Sequence, residues 1–146
     1  MEVHTSRFGS IEIPPGDVIR FPEGVPGFTE CHDWALLADG QNAALAWLQS
    51  LEQPDVAFAV VSPRRHVPGY RLRVARRELE LLQFEDLHAV RVLAIVGKSD
   101  RSMTLNLKAP LVINLDRRMG RQVIANGDFP VQYELPYTAA TRKRIA

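Results

Sequence analysis

Cys31-His32-Asp33 is the one run that sets three residue types able to ligate a metal or attack a substrate side by side. Adjacent positions do not converge: neighbours on a strand or helix point different ways, whereas a metal site needs ligands closing on one point. The other histidines, His4, His66 and His88, are scattered, with no H-E-x-x-H and no second cysteine. No metal or cofactor is therefore expected. Cys31 would act as a nucleophile only if the fold brought a histidine to it; as a small buried hydrophobe it needs no further role. The carboxylate pairs Glu78/Glu80 and Glu85/Asp86 lie on or beside a helical stretch, where charges normally face water. Gly24-Val-Pro-Gly27 matches neither glycine-rich phosphate motif, and its proline lacks an N–H that such a cradle would use. No catalytic residue is nominated, no small-molecule substrate is expected, and binding becomes the leading class of function.

Basic residues are bunched as Arg64-Arg65, Arg76-Arg77 and Arg117-Arg118, with Arg121 and a terminal Arg142-Lys143-Arg144. Gathered by the fold, they would form an anion-binding patch. No aromatic residues interleave them, and the net charge is only +1, so dedicated binding to nucleic acid is not signalled. A small nucleic-acid-binding β-barrel using these arginines and the basic tail stands as the alternative. The lone cysteine, the absence of a secretory pattern and the absence of a long apolar run imply a cytoplasmic protein with no membrane partner.

The elements read as short strands. Residues 3–13 make a strand with a bulge or turn at Gly9-Ser10. Residues 34–37 and 44–48 make a hairpin across Asp39-Gly40-Gln41-Asn42. Residues 56–61 form a continuous apolar run, the mark of a strand buried on both faces. Tyr70, Leu72 and Val74 alternate with Arg71 and Arg73, as in a half-buried strand. Arg76 to Phe84 switches to helical spacing for about two turns. Residues 90–96 are the strongest strand. Met103, Leu105 and Leu107 alternate with polar residues, predicting one buried and one exposed face. Ala109-Pro110 breaks that ladder and would leave an open edge. Residues 111–115 resume it, and 122–125 return. One domain spans 1–146, all-β and mainly antiparallel, a small barrel-like or sandwich fold with one or two short helices. From about 129 to 146 the tail is expected to be irregular.

One stretch stands apart. Phe21-Pro-Glu-Gly-Val-Pro-Gly-Phe28 alternates two prolines and two glycines with apolar side chains. Such a mixture makes a turn or loop of defined path. Its phenylalanines either tuck into the core or form a rigid apolar platform for a partner, and both readings can hold for different residues.

Phe8-Gly-Ser-Ile-Glu-Ile13 and Ile19 to Phe28 resemble the opening signature of the flagellar assembly factor family, FliW. Trp47-Leu-Gln-Ser50, Ala57-Phe-Ala-Val60 and Pro63 resemble its middle, and residues 104–114 with Gly120-Arg-Gln-Val-Ile124 its close. The resemblance covers residues 7 to about 125. It implies a non-enzymatic cytoplasmic β-barrel with two protein partners: flagellin before its secretion, and the translational repressor CsrA once flagellin has left. Release from flagellin then lifts repression of flagellin synthesis, with CsrA bound away from its RNA surface. The contact residues this suggests are Phe21, Val25 and Phe28, with Pro22 and Pro26 holding the loop. Asn106, Lys108 and Asn114 join them on a second face, which strand alternation makes exposed if Pro110 causes no register shift. The tail after 125 matches no part of the family pattern.

Overall fold

Short apolar runs separated by turn residues cannot bury themselves alone; they must pair edge to edge and roll up. In the computed structural model, which describes residues 1–100 and 102–136, they do so as a closed barrel. The described strands are β1 (Glu2–Thr5), β2 (Gly9–Glu12), β3 (Ile19–Arg20), β4 (Asp33–Ala38), β5 (Ala46–Ser50), β6 (Ala57–Val61), β7 (Val90–Lys98), β8 (Ser102–Leu105), β9 (Leu111–Asn114), β10 (Met119–Gln122) and β11 (Tyr133–Pro136). Two short helices, α1 (Pro63–His66) and α2 (Arg76–Glu80), lie between β6 and β7.

Strands β7-β6-β5-β4-β3-β10-β9 pair in that order, and β9 pairs back onto β7, which closes the ring. Every pairing is antiparallel except β3 with β10, where Met119 lies opposite Arg20. The nine-residue β7 is long enough to serve two neighbours on one side: Val90–Leu93 pair with β9, and Val96–Lys98 with β8. Strand β11 then pairs with β8, so these two form a flap continuing from the barrel wall.

Alternation fills the interior. Ile19, Trp34, Leu48, Val60, Leu111 and Ile113 point inward with Leu36, Phe58, Leu93 and Ile95, one or two from nearly every strand. The outer faces are not left to water. The β1–β2 hairpin lays Val3 and Ile13 against Ala35 and Leu37 of β4. The stretch around α2 lays Leu79, Leu82 and Phe84 over Val112 and Val123. Tyr70, Phe129 and the flap cover Trp47, Ala59 and Ala94.

This double covering explains four departures from the sequence reading. Residues 3–13 form a hairpin rather than one interrupted strand: the Thr5 hydroxyl donates to the Gly9 carbonyl and accepts from the Phe8 N–H, closing a turn. Residues 70–74 keep their alternation but join no sheet, because a closed barrel has no free edge beside them. Strand β8 is buried throughout, since it runs between β7 and β11; Thr104 packs where a Cβ on Gly97 would come within 2.7 Å of its hydroxyl. Residues 133–136, expected to be irregular, are β11, paired with Ser102 to Leu105. The terminal basic triplet lies outside the described residues.

Candidate protein-binding surface

The Pro/Gly loop is two turns in series. Phe21 to Gly24 closes with the Gly24 N–H on the Phe21 carbonyl at 2.9 Å. Val25 to Phe28 closes with the Phe28 N–H on the Val25 carbonyl at 2.7 Å. Pro26 presets the first central position, and Gly27 supplies the positive φ (+88°) that a type II turn needs at the second. Gly24 is more constrained: at φ +69° a Cβ would stand 2.5 Å from the Thr29 Cα.

These turns drive the loop's large side chains inward. Phe21 is fully buried, edge-on to Trp34 with ring centroids 6.3 Å apart. Its ring occupies the space left by Gly120, where a Cβ would lie 2.5 Å from Cζ. Val25 is buried too. The expectation that Phe21 and Val25 contact a partner is therefore corrected: they are barrel core. Phe28 is half-buried, edge-on to Phe58 at 5.6 Å, while Pro22 and Pro26 are exposed. The surface of this loop is two prolines, Glu23 and one edge of Phe28.

The loop is tied down at both ends. The Phe21 N–H donates to the His32 carbonyl, and His32 Nδ1 lies 3.1 Å from the Phe21 carbonyl. The backbone N–H groups of His32 and Asp33 both donate to Glu52. These bonds, the one from Asp33 foremost, hold the Glu52 carboxyl below its ordinary range against a smaller opposing effect of burial. On the far side Arg121 donates to Glu23 and to Glu78, both at 3.0 Å. Arg121 thus joins the loop to α2 and is not part of a free basic patch. Cys31, His32 and Asp33 take separate courses: Cys31 into the barrel, His32 to the Phe21 carbonyl, Asp33 to Arg20.

The second predicted face also turns inward. Asn114 is buried under the segment that follows α2; its amide donates to the Leu82 carbonyl at 2.8 Å, and its Oδ1 accepts from Asp116 and Arg117 N–H. The expected exposure is wrong because the outer face of β9 is roofed. Lys108 donates to the carbonyls of Ala125 and Gly127, and Asn106 Oδ1 accepts from the Ala109 N–H. The open edge expected at Ala109-Pro110 is closed by Val123 N–H on the Pro110 carbonyl and Ala125 N–H on the Lys108 carbonyl. The structure does not present Asn106, Lys108 and Asn114 together on one exposed face.

Two clefts remain. One of about 220 Å³ lies beside Arg7, whose guanidinium stacks 3.8 Å over the Trp47 ring. The other, about 480 Å³, is lined by Pro63, Arg64, Tyr70, Arg71, Leu72 and Val92. Among the described residues no three His, Cys, Asp or Glu side chains are grouped to hold a metal. Sequence reasoning passed over two exposed apolar side chains near α2, Leu81 and Leu87, the latter 78% exposed. The signal for Leu81 was its poor fit to the helical stripe.

The family model for FliW protein matches residues 2–135. The chain belongs to the FliW family. The match takes in the β1–β2 hairpin and most of β11, beyond the span in which the resemblance was legible. A crystal structure of the flagellar assembly factor FliW superposes with TM-score 0.85 at 32% identity, covering 92% of this chain and 96% of that one. The flagellar assembly factor FliW of Thermoanaerobacter pseudethanolicus is 37% identical over 131 residues, 88% of this chain and 87% of that protein. That of Bdellovibrio bacteriovorus is 38% identical over 126 residues, 85% and 72% respectively. The closed barrel described above is thus a FliW fold. Among the described residues, no helix of this FliW chain is long and apolar enough to cross a membrane.

Proposed function

We propose that this protein is a flagellar assembly factor acting in the cytoplasm by binding two proteins in turn, flagellin and CsrA, without enzymatic activity. Free flagellin occupies it. After flagellin is exported, the protein binds CsrA and relieves repression of flagellin synthesis. The observation that carries this reading is the family match over residues 2–135, which extends from the first strand into the last described one. A rigid barrel with a fixed loop suits the task, since partner exchange then follows mass action and needs no change in the barrel itself.

On this reading Pro22, Pro26 and the exposed edge of Phe28 touch a partner, and Phe21 and Val25 set the loop's path from within. Asn106, Lys108 and Asn114 act by holding the closing segment in place. Titration calorimetry with purified flagellin and CsrA, each alone, tests the reading. Binding to each is expected, together with failure of CsrA to join the flagellin-bound protein. Absence of binding to both at roughly micromolar concentrations would remove it.

A further inference from the structure

Residues 56 to 77 contain no aspartate or glutamate, and the last fourteen of them, 64–77, carry six arginines. Arg64, Arg65, Arg71, Arg73, Arg76 and Arg77 are all exposed. Among the described residues none of them makes an ion pair or a side-chain hydrogen bond. Three arginines elsewhere in the chain, Arg20, Arg117 and Arg121, are by contrast held in ion pairs. Six uncompensated guanidinium groups on a short segment make a local field that the near-neutral total charge conceals.

The backbone between them is also unsatisfied. Exposure alternates from Tyr70 to Ala75, buried or half-buried against exposed, as in an extended chain. Yet this stretch joins no sheet. The sole backbone hydrogen bond that residues 71–74 make among the described residues runs from the Asn126 N–H to the Arg73 carbonyl at 2.7 Å. In an extended chain the N–H and C=O of one residue face one edge, and those of its neighbours face the other. With Arg73 turned to residue 126, the N–H and C=O groups of Leu72 and Val74 are directed to the opposite edge, and among the described residues they make no hydrogen bond. The 480 Å³ cleft opens beside this strip, with Pro63, Tyr70, Leu72 and Val92 as apolar lining and Arg64 and Arg71 at its rim.

We propose that Arg71 to Val74 and the adjoining cleft form a docking strip for an acidic, extended segment of a partner protein. The segment's backbone pairs with Leu72 and Val74, one apolar side chain enters the cleft, and flanking carboxylates meet Arg64, Arg71 and Arg73. Strand addition of this kind draws affinity from main-chain bonds and specificity from alternate side chains. Arginine suits the charged part, because its planar fork matches a carboxylate with two parallel hydrogen bonds. RNA fits less well. The single aromatic side chain of the region, Tyr70, is buried against Phe129 with its hydroxyl on the Leu107 carbonyl, so no face is free for base stacking. A phosphate backbone, which offers acceptors and no N–H donors, would also leave the Leu72 and Val74 carbonyls unmatched.

The strip does not depend on the flagellin and CsrA reading, and its test uses neither protein. Fluorescence anisotropy of the full chain with a labelled peptide of about eight residues, alternating glutamate and leucine, is the direct probe. Saturable binding that weakens with added salt is expected. Arg71→Glu with Arg73→Glu should reduce affinity at least about tenfold and leave the thermal midpoint unchanged. The same double variant should gain binding to a lysine–leucine peptide. Replacing the probe's central leucine by proline removes a main-chain donor and should also abolish binding. Equal binding of the proline peptide, retention of affinity in the double variant, or tighter binding of a mixed-sequence RNA oligomer would each overturn the proposal.

Discussion

The loop at 21–28 and the arginine stretch at 64–77 are opposites in every respect that bears on binding. The loop is apolar and closed on itself: its two turns are hydrogen-bonded, the N–H groups of Phe21, Gly24, Val25 and Phe28 have partners, and Phe21 and Val25 are in the barrel. The arginine stretch is charged and, among the described residues, its six guanidinium groups are unpaired and residues 71–74 keep a single backbone hydrogen bond, at the Arg73 carbonyl. Apolar side chains are drawn to the interior by the same preference for leaving water that a binding platform would exploit. Once they are core they are no longer available to a partner. Charges resist burial without a counter-ion, so an uncompensated cluster stays outside and available. The conspicuous residues of the first region thus maintain the barrel, while the ordinary-looking ones of the second retain capacity to bind.

If that division is right, changes in the loop's interior are read as lost stability and changes in the arginines as lost binding alone. The largest effect belongs to Phe21→Ala. It deletes a fully buried ring packed on Trp34 and Gly120 and should cost about 3–5 kcal/mol in denaturant unfolding. A loss under about 1 kcal/mol would mean that the ring is not core and would restore the platform reading. Gly120→Ala approaches the same contact from the other side. It pushes a methyl into the Phe21 ring and should cost about 1–3 kcal/mol. Asn114→Ala comes next: it strands the buried Leu82 carbonyl and removes the acceptor of the Asp116 N–H, at about 1–3 kcal/mol. Arg76→Ala, by contrast, should stay within about 0.5 kcal/mol of the parent protein.

What was legible in the sequence follows the same physics. The hairpin of β4 and β5, the β6 strand and the long β7 could be read directly, because a strand covered on both faces carries its apolar run and its bounding turn residues in its own local sequence. The position of α2 could be read from the switch to helical spacing at Arg76. Burial on the outer face could not. Asn114 looks like the polar side of a strand, and it is polar; only the passage of Leu82 over β9 turns that side into an interior. Likewise Tyr70 to Val74 carries a strand's pattern without a strand's partner, since pairing depends on whether a neighbouring edge is free and the closed ring leaves none. The partner of Phe21 was hidden because it is a glycine, Gly120, about a hundred residues along, a residue that reads locally as a turn.

The smallest expected effect tests the border of the charged region. His66 closes α1 directly beside Arg64 and Arg65, and its buried Nε2 has no hydrogen-bond partner among the described residues. Burial, and after it the Arg65 charge, lowers its pKa below the ordinary histidine value. The folded protein therefore prefers the neutral ring, while the unfolded chain takes up a proton at higher pH. As pH falls through the ordinary histidine range, the unfolded state binds more protons, and stability present above that range is lost. Thermal midpoints measured from about pH 7.5 down to about pH 5.5 should decline less steeply for His66→Gln than for the parent. The difference should be at most about 2 °C, because solvent screens a ring that is only half-buried. Identical slopes would show that the ring reaches water freely, and that the arginine stretch begins without this neutral, partly buried edge.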